Sequence, residues 1–385
     1  MKGFKENVLI QFILLIGFVT VFSLFFSDIL GGEEKIPLPK SLVFQSQMTI
    51  SEFGEKNNLP NSVLLKEFQL EGENDFQKKL GDFDNLEEKI DSVRNKLILH
   101  REGESKSWIK IAIKFGLWIF IQIIVFNLIR RNKITVKNRK IIYFISLTIF
   151  GVILGSDPGP MGTVKDAVAL FAVDGVIFPQ RLAAMGIFLF MVFIANKFIC
   201  SWGCQVGTLQ DLIFRLNKNN TANKNLIRQY KIPFVLSNTV RIIFFIVFTV
   251  IVFMWSTDII EYIDPFKIFA PMKLEIIGMG FIGLIFIGSI FVYRPWCHLF
   301  CPFGLVGWFI EKISVFKICV DYDKCISCEA CSKACPSTAM ENILKQEKTI
   351  PDCFSCGSCI ETCPTEAISF KKGKRPVPPK DKFKK

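Results

Sequence analysis

Nine of the thirteen cysteines lie between Cys319 and Cys363, and eight of these follow one spacing written twice. The first run is Cys325-x2-Cys328-x2-Cys331-x3-Cys335-Pro336. The second is Cys353-x2-Cys356-x2-Cys359-x3-Cys363-Pro364. Three closely spaced thiolates on a tight loop can wrap one face of an iron–sulfur cubane. The same short loop cannot reach round to the fourth corner, so the fourth thiolate of each run serves the other cubane. The pattern therefore gives one 4Fe–4S cluster to Cys325, Cys328, Cys331 and Cys363. It gives a second to Cys353, Cys356, Cys359 and Cys335. Each proline ends its ligand loop by fixing φ and removing a donor. The competing reading is a pair of structural zinc sites, but zinc takes its thiolates mostly as separated C-x2-C pairs. Ala339 and Ala367 each follow a Cys-Pro-x-x step, as an internal duplication requires. Cys319 stands outside both runs and reads as a buried bystander.

The other four cysteines form two equal pairs, Cys200-Ser201-Trp202-Gly203-Cys204 and Cys297-His298-Leu299-Phe300-Cys301-Pro302. Each pair follows an apolar run. On a continuous helix each is an i,i+4 pair facing one direction, and four thiols could then converge. The chemistry would be a redox dithiol set or a third metal centre. The bland alternative is small apolar residues at helix ends. Residues 1–199 hold no cysteine, and a secreted disulfide framework would not spare half the chain.

The elements that carry these thiols read as membrane helices. Of 385 residues, 50% are hydrophobic and 40 are Phe. Charged residues make up 21%, against roughly 25% in an average soluble domain. This excludes disorder and a fibrous repeat, and argues against an ordinary soluble enzyme. A span needs about 20 apolar residues. Val8–Ser27, Trp108–Ile129, Ile141–Ser156, Leu182–Ile199, Phe234–Ser256 and Leu274–Tyr293 are the six candidates. Arg241 sits inside the fifth. The basic loops Arg130–Lys140 and Asp211–Lys231 fall on one side together with both termini. The other side holds an excess of acid, so the termini are expected in the cytoplasm. A signal peptide is the alternative for the first run, whose apolar core is long for one and lacks an A-x-A site.

Between the first two spans, Glu33–Ser107 reads as a small helical domain. Thr49 with Glu52 forms a capping box, Ser62–Gln69 a second helix, and Asp84 with Glu87 starts a third. The third carries the stripe Leu86, Ile90, Val93, Leu97 and Ile98. The first two helices resemble a helix-turn-helix in pattern, but their acidity and outer placement argue against DNA. The segment is short enough that it is expected to lean on the membrane domain or a partner. Gly304–Phe316 reads as an interfacial helix, with Trp308 as anchor and Glu311 and Lys312 outward. The last fifteen residues hold eight Lys/Arg and one Asp, a tail for anionic lipid, an acidic partner or solvent. Gly278-Met279-Gly280-Phe281-Ile282-Gly283 lies inside a span and reads as helix packing, not a dinucleotide site. His298 is a candidate tuner of the thiols beside it, or a plain interface residue. Asp157, Lys165, Asp166, Asp174, Arg181, Asp258, Glu261 and Asp264 share the outer side. Asp174 with Arg181 is the candidate quinol site among them, against a reading as solvated loop charges.

The motifs CSWGC, CHLFCP and the two ferredoxin runs together resemble the NapH/NosR-type membrane-bound polyferredoxins, over roughly Ile141–Phe370. The resemblance implies a quinol-linked electron-transfer component that serves a partner reductase or its maturation. It implies four spans as a common core. NosR-type proteins also carry a flavin-binding outer domain, and no S-G-A-T-like attachment motif occurs here, so flavin is not carried over.

The expected fold is a mainly α membrane protein of about six transmembrane helices. It has a small outer helical domain and a C-terminal α+β two-cluster ferredoxin domain. By residue, 1–30 is the first span, 31–107 the outer domain and 108–301 the five-helix membrane domain. Residues 302–318 are an interfacial linker, 319–370 the ferredoxin domain and 371–385 a basic disordered tail. The expected function is electron transfer between a membrane donor, quinol, and a partner redox protein or reductase complex. The enzyme activity, if any, belongs to the complex. The alternative is an accessory or sensor that matures or regulates a metalloenzyme by reducing a metal. The expected location is the cytoplasmic membrane, multi-pass, in contact with lipid and with no nucleic-acid partner.

Overall fold

The computed structural model describes residues 8–30, 42–70, 73–104, 107–217, 227–380 and 382–383. The two chain ends and part of the basic loop after Asn217 thus lie outside the described residues. The chain is mainly helical and divides into two compact units. The larger takes Met1–Gly31, Lys110–Ala169 and Pro179–Lys385. The smaller takes Gly32–Ile109 and Leu170–Phe178. Helix α1 (Val8–Leu30) opens the larger unit.

The smaller unit is built on α2 (Ile50–Lys56), α3 (Asn61–Glu67) and α4 (Leu86–Glu104). The Thr49 side chain accepts from the Glu52 amide while the Glu52 carboxylate accepts from the Thr49 amide, so both halves of the capping box form. A Cβ on Gly54 would lie 2.8 Å from Leu64 Cδ1, which is how closely α2 and α3 approach. The Asn57 side chain both accepts from the Val43 amide (2.8 Å) and donates to its carbonyl (2.9 Å), tying down the entering chain. Ile90, Val93 and Leu97 of α4 bury with Phe53, Leu64 and Phe68. Contrary to the expectation from its length, the segment has an apolar core of its own. The acids and lysines on its outer faces hide that core from a count of hydrophobic residues.

In the larger unit, α5 (Trp108–Arg130) and α6 (Val136–Leu147) lead into a π-helical segment, Thr148–Ile153. Then come α7 (Pro160–Asp174), α8 (Pro179–Ala195), α9 (Phe198–Trp202) and α10 (Gln205–Leu216). After these follow α11 (Phe234–Trp255), α12 (Ile259–Ile263), α13 (Ile276–Phe291), α14 (Pro295–Leu299) and α15 (Pro302–Glu311). Strands β1 (Phe316–Val320) and β2 (Ile368–Lys372) pair antiparallel with Cys319 opposite Ser369. They close a loop-rich domain that holds α16 (Ala330–Ala334), α17 (Ala339–Lys345) and α18 (Ser358–Thr362).

Three of the six expected spans are helices long and apolar enough to cross a membrane on their own. Among the described residues, Val8–Phe26, Trp108–Arg130 and Phe234–Trp255 are long and apolar enough to cross a membrane. Pro179–Ala195 and Ile276–Phe291 are apolar but shorter. At 1.5 Å per residue, the 16 residues of α13 reach about 24 Å against a hydrocarbon core of about 30 Å. In the expected span Ile141–Ser156 the helix widens from α to π at Thr148 and runs on to Ile153. Gly151 in that turn lies under Phe269, whose ring would be 2.5 Å from any Cβ there. The Phe150 carbonyl accepts from Gln205 Nε2 at 2.9 Å. A hydropathy window cannot see such a turn, because its residues are as apolar as those of a straight helix.

The interfacial helix also differs. It runs Pro302–Glu311, and Phe316 already belongs to β1. Trp308 is buried and donates to the Ile350 carbonyl, and Glu311 turns inward to accept from the Cys353 amide at 2.9 Å. Both residues hold the C-terminal domain instead of facing lipid and water. The six-residue glycine pattern falls inside α13, and of its glycines Gly278 packs closely while Gly280 and Gly283 meet nothing within 4 Å. A Cβ on Gly278 would lie 2.5 Å from the Tyr262 carbonyl oxygen.

Thr49→Ala removes one side of the capping box and should destabilise the smaller unit by about 1 kcal/mol. Hydrogen exchange of the α2 amides in the intact chain would report this as about fivefold faster opening, while amides of the larger unit stay unchanged.

Candidate functional site

The C-terminal cysteines line two cavities. Cys325, Cys328, Cys331 and Cys363 surround one of about 340 Å³. Cys335, Cys353, Cys356 and Cys359 surround another of about 400 Å³. Two short helices build both. In α16, Cys331 faces the first cavity and Cys335, at the helix end, faces the second. In α18, Cys359 faces the second and Cys363, at the helix end, the first. Ser327, Glu329 and Ser355 take positive φ, as the tight ligand loops demand. Cys319 is buried in β1 and lines neither cavity.

Cys200, Cys204, Cys297 and Cys301 line a third cavity of about 370 Å³. The pairs do not sit on continuous helices. Cys200 lies in the five-residue α9, which stops at Gly203, and Cys204 is the N-cap of α10. Cys297 lies in the five-residue α14, which stops at Phe300, and Cys301 is the N-cap of α15. Pro302 at the first position of α15 explains the second break, since it has no amide to carry a helix through. Each break puts a sulfur at a helix N-terminus, where amides and the helix dipole favour a thiolate. The Cys301 sulfur accepts from the Gly304 amide at 3.4 Å.

The two halves are laid out alike and brace each other. Lys197 stands three residues before Cys200, and Arg294 three before Cys297. Lys197 Nζ donates to the Gly304 carbonyl of the other half at 2.6 Å, and Arg294 Nη1 to the Cys200 carbonyl at 2.8 Å. Gly207 and Gly304, each three residues after the second cysteine, make room for this. A Cβ there would lie 2.4 Å from the Cys200 oxygen or 2.8 Å from the Cys297 oxygen. Both cations are fully buried and each has an acid. Asp352 takes Lys197 and, at 2.9 Å, Arg241. Asp211 takes Arg215 and, at 2.7 Å, Arg294. Burial alone would raise both carboxyls, and these cations hold them below the usual range. The Tyr293 hydroxyl also donates to Asp211 at 2.7 Å.

Sequence reasoning singled out neither Asp352 nor Asp211, nor Lys197 or Arg294. The signal was the matching K-x2-C-x3-C and R-x2-C-x3-C spacing, visible once the two pairs are aligned. His298 sits 3.6 Å from Asp352 through Nδ1 and packs on Phe354, a place beside the thiols but turned to the acid.

The C-terminal domain is seated in the same unit by further bonds. Arg139 Nε donates to the Cys356 carbonyl (2.8 Å) and its guanidinium pairs with Glu361 (3.0 Å). The Glu361 carboxylate also accepts from the Val136 amide at the start of α6. Lys231 Nζ donates to the Ser332 carbonyl at 2.8 Å. Residues of both basic loops thus touch the cysteine-rich domain.

On the outer-loop charges the structure departs from a solvated reading. Lys165 is 5% exposed and bonds Glu261 (2.5 Å), with Asp258 at 3.2 Å and Asp166 at 3.5 Å. Burial pushes its ammonium down, and the Glu261, Asp258 and Asp264 carboxylates outweigh that and hold it at about 12. Arg181 pairs with Asp166. The side chain of its expected partner, Asp174, lies outside the described residues.

The donor sets suit 4Fe–4S clusters. Each cavity presents four thiols and almost no other polar surface. A cubane spreads its thiolates over separate corner irons. Trp296, which lines the third cavity, is fully buried.

Comparison with known proteins agrees with this chemistry. Residues 317–364 match a family model described as a 4Fe–4S dicluster domain. Residues 178–221 and 275–319 each match one described as a 4Fe–4S binding domain. The latter two segments contain the C-x3-C pairs. YccM of Escherichia coli, described as a candidate electron transport protein, is 29% identical over 175 residues, 42% of this chain and 48% of that protein. The chain thus spans about half the length of that relative. An uncharacterized protein of Methanocaldococcus jannaschii is 24% identical over 226 residues, 58% of this chain and 80% of that protein. No solved structure matches the chain. The matches support iron–sulfur electron transfer.

Asp352→Ala would leave Lys197 and Arg241 buried without their acid, a loss of about 3–5 kcal/mol. Thermal unfolding of the purified chain in detergent should show it, with exposed Asp323→Ala as the control that does not move.

Proposed function

We propose that this chain is a membrane electron-transfer protein with three 4Fe–4S centres. One is held by Cys325, Cys328, Cys331 and Cys363, and one by Cys335, Cys353, Cys356 and Cys359. The third is held by Cys200, Cys204, Cys297 and Cys301. The observation that carries the reading is the sorting of twelve of the thirteen cysteines into three cavities, four to each. A bound cluster supplies one-electron chemistry at a potential that its surroundings set between about −700 and +450 mV.

The chain's own residues do the rest. Cys204 and Cys301 stand at helix N-termini, where backbone amides face the sulfurs. Lys197, Arg241 and Arg294 set positive charge against an anionic group. Val206, Phe266 and Phe303 wall the third cavity and keep water out. The cations raise a centre's potential because they favour the added electron, while the dry apolar walls act in the opposite direction.

The donor in this reading is membrane hydroquinone, and the acceptor is a partner reductase or soluble carrier, as in the NapH/NosR-type proteins. The three long apolar helices support a membrane setting, and in this reading α8, α13 and the continuous helical segment Val136–Ile153 complete six crossings. Arg139 and Lys231 touching the cysteine-rich domain supports one common side for the basic loops and the clusters. Positive charge stays inside, which makes that side the cytoplasm.

The test is iron and acid-labile sulfide counted per chain in anaerobically purified protein. About twelve irons is expected, falling to about eight when Cys200, Cys204, Cys297 and Cys301 are all changed to Ala. A count of about eight in the unaltered chain removes the third centre. A short-chain hydroquinone should reduce the centres in isolated membranes, and a failure to do so removes the donor.

A further inference from the structure

The three cavities are not equivalent in what separates them. Phe354 lines both the Cys200/Cys204/Cys297/Cys301 cavity and the Cys335/Cys353/Cys356/Cys359 cavity. It follows Cys353 directly and is 5% exposed. Its ring is fixed from several sides. The His298 ring lies 5.4 Å away, the Tyr293 ring 5.9 Å, and the Arg294 guanidinium 4.6 Å from its centroid. One aromatic side chain is therefore a wall common to the two cavities.

The Cys325/Cys328/Cys331/Cys363 cavity is placed otherwise. No residue before Val320 lines it. Cys328 is exposed, and its neighbour Ile326 is 63% exposed. Its tie to the middle cavity is α16 and α18. In each, a cysteine of one cavity is followed four residues later by a cysteine of the other, about 6 Å along a helix axis.

We propose that these placements fix the order of the centres. The membrane site comes first, the Cys335/Cys353/Cys356/Cys359 site is the obligatory middle, and the Cys325/Cys328/Cys331/Cys363 site is the solvent-facing terminus. Phe354 is the positioning residue that closes the first gap. This rests on the three-centre reading above and adds the sequence of exchange to it. Each exchange moves one electron, so one centre is oxidised as its neighbour is reduced, and no bond is made or broken. A hydroquinone gives up two electrons and two protons at the membrane end, and two turnovers of a one-electron soluble carrier take the electrons at the other. Reverse flow uses the same order.

The test uses spin–spin coupling in dithionite-reduced full-length protein, read by EPR. In Cys325→Ala/Cys328→Ala, the membrane and middle centres remain and should still split each other's signals. In Cys353→Ala/Cys356→Ala, the remaining two should give separate, unsplit signals. Strong coupling in that second variant would overturn the order, because it would put the membrane and terminal centres side by side. Should either variant fail to fold, Phe354→Leu serves. It should keep about twelve irons, and its C-terminal centres should be reduced by a short-chain hydroquinone severalfold more slowly than in the unaltered chain. Equal rates would take Phe354 off the path. About eight irons in the unaltered chain would overturn the three-centre reading and this order together, whereas about twelve with the wrong coupling overturns the order alone.

Discussion

Two cations buried across a pseudo-symmetric seam hold this structure together. Lys197 reaches from the first half to a carbonyl of the second, and Arg294 reaches from the second to a carbonyl of the first. Charges this deep are costly unless each has both an acid and further hydrogen bonds. Asp352 and Asp211 meet that requirement. A seam of apolar residues would be easier to bury, but it would let the halves slide. A carbonyl and a carboxylate fix each cation at one point, so the four thiols of the two halves are held in one register. The same cations give the four-thiol cavity its positive surroundings. One set of contacts therefore serves both position and electrostatics.

Much of this is written in the sequence, though not all of it in a form that pattern reading recovers. The Cys325–Cys363 runs are legible because their spacing is dictated by the reach of a short loop around a cubane. The Thr49–Glu52 box is legible because a cap is a local bond between residues three apart. The C-x3-C pairs are legible as pairs, but the helix break inside each is not. It depends on Gly203 and on Pro302 doing at a buried seam what such residues often fail to do elsewhere. Asp211 and Asp352 resemble ordinary loop acids along the chain. Their role comes from partners 83 and 111 residues away, Arg294 and Arg241, and no window of neighbours contains those. Ile141–Ser156 shows what hydropathy leaves out, since its apolar run gives no hint of the π turn at Thr148–Ile153 or of Phe269 packed over Gly151.

The duplication operates at two levels. The C-terminal runs send their fourth cysteines to each other's cavity through α16 and α18, and the membrane pairs exchange their cations through Lys197 and Arg294. In both, a repeated unit cannot finish its own site and takes the missing part from its twin. Such sites are complete only when both copies are folded and docked. Stability and ligand geometry are then coupled, which suits centres that would be damaged by water or oxygen if half built.

Asp352 follows Lys197 by 155 residues and Arg241 by 111. A ribosome has therefore released both cations into the nascent membrane half long before it makes their acid. Until the last part of the chain emerges and seats itself, those two charges have no buried counter-ion, and the seam cannot dehydrate. Docking of the cysteine-rich domain thus supplies the acid that lets these two cations be buried.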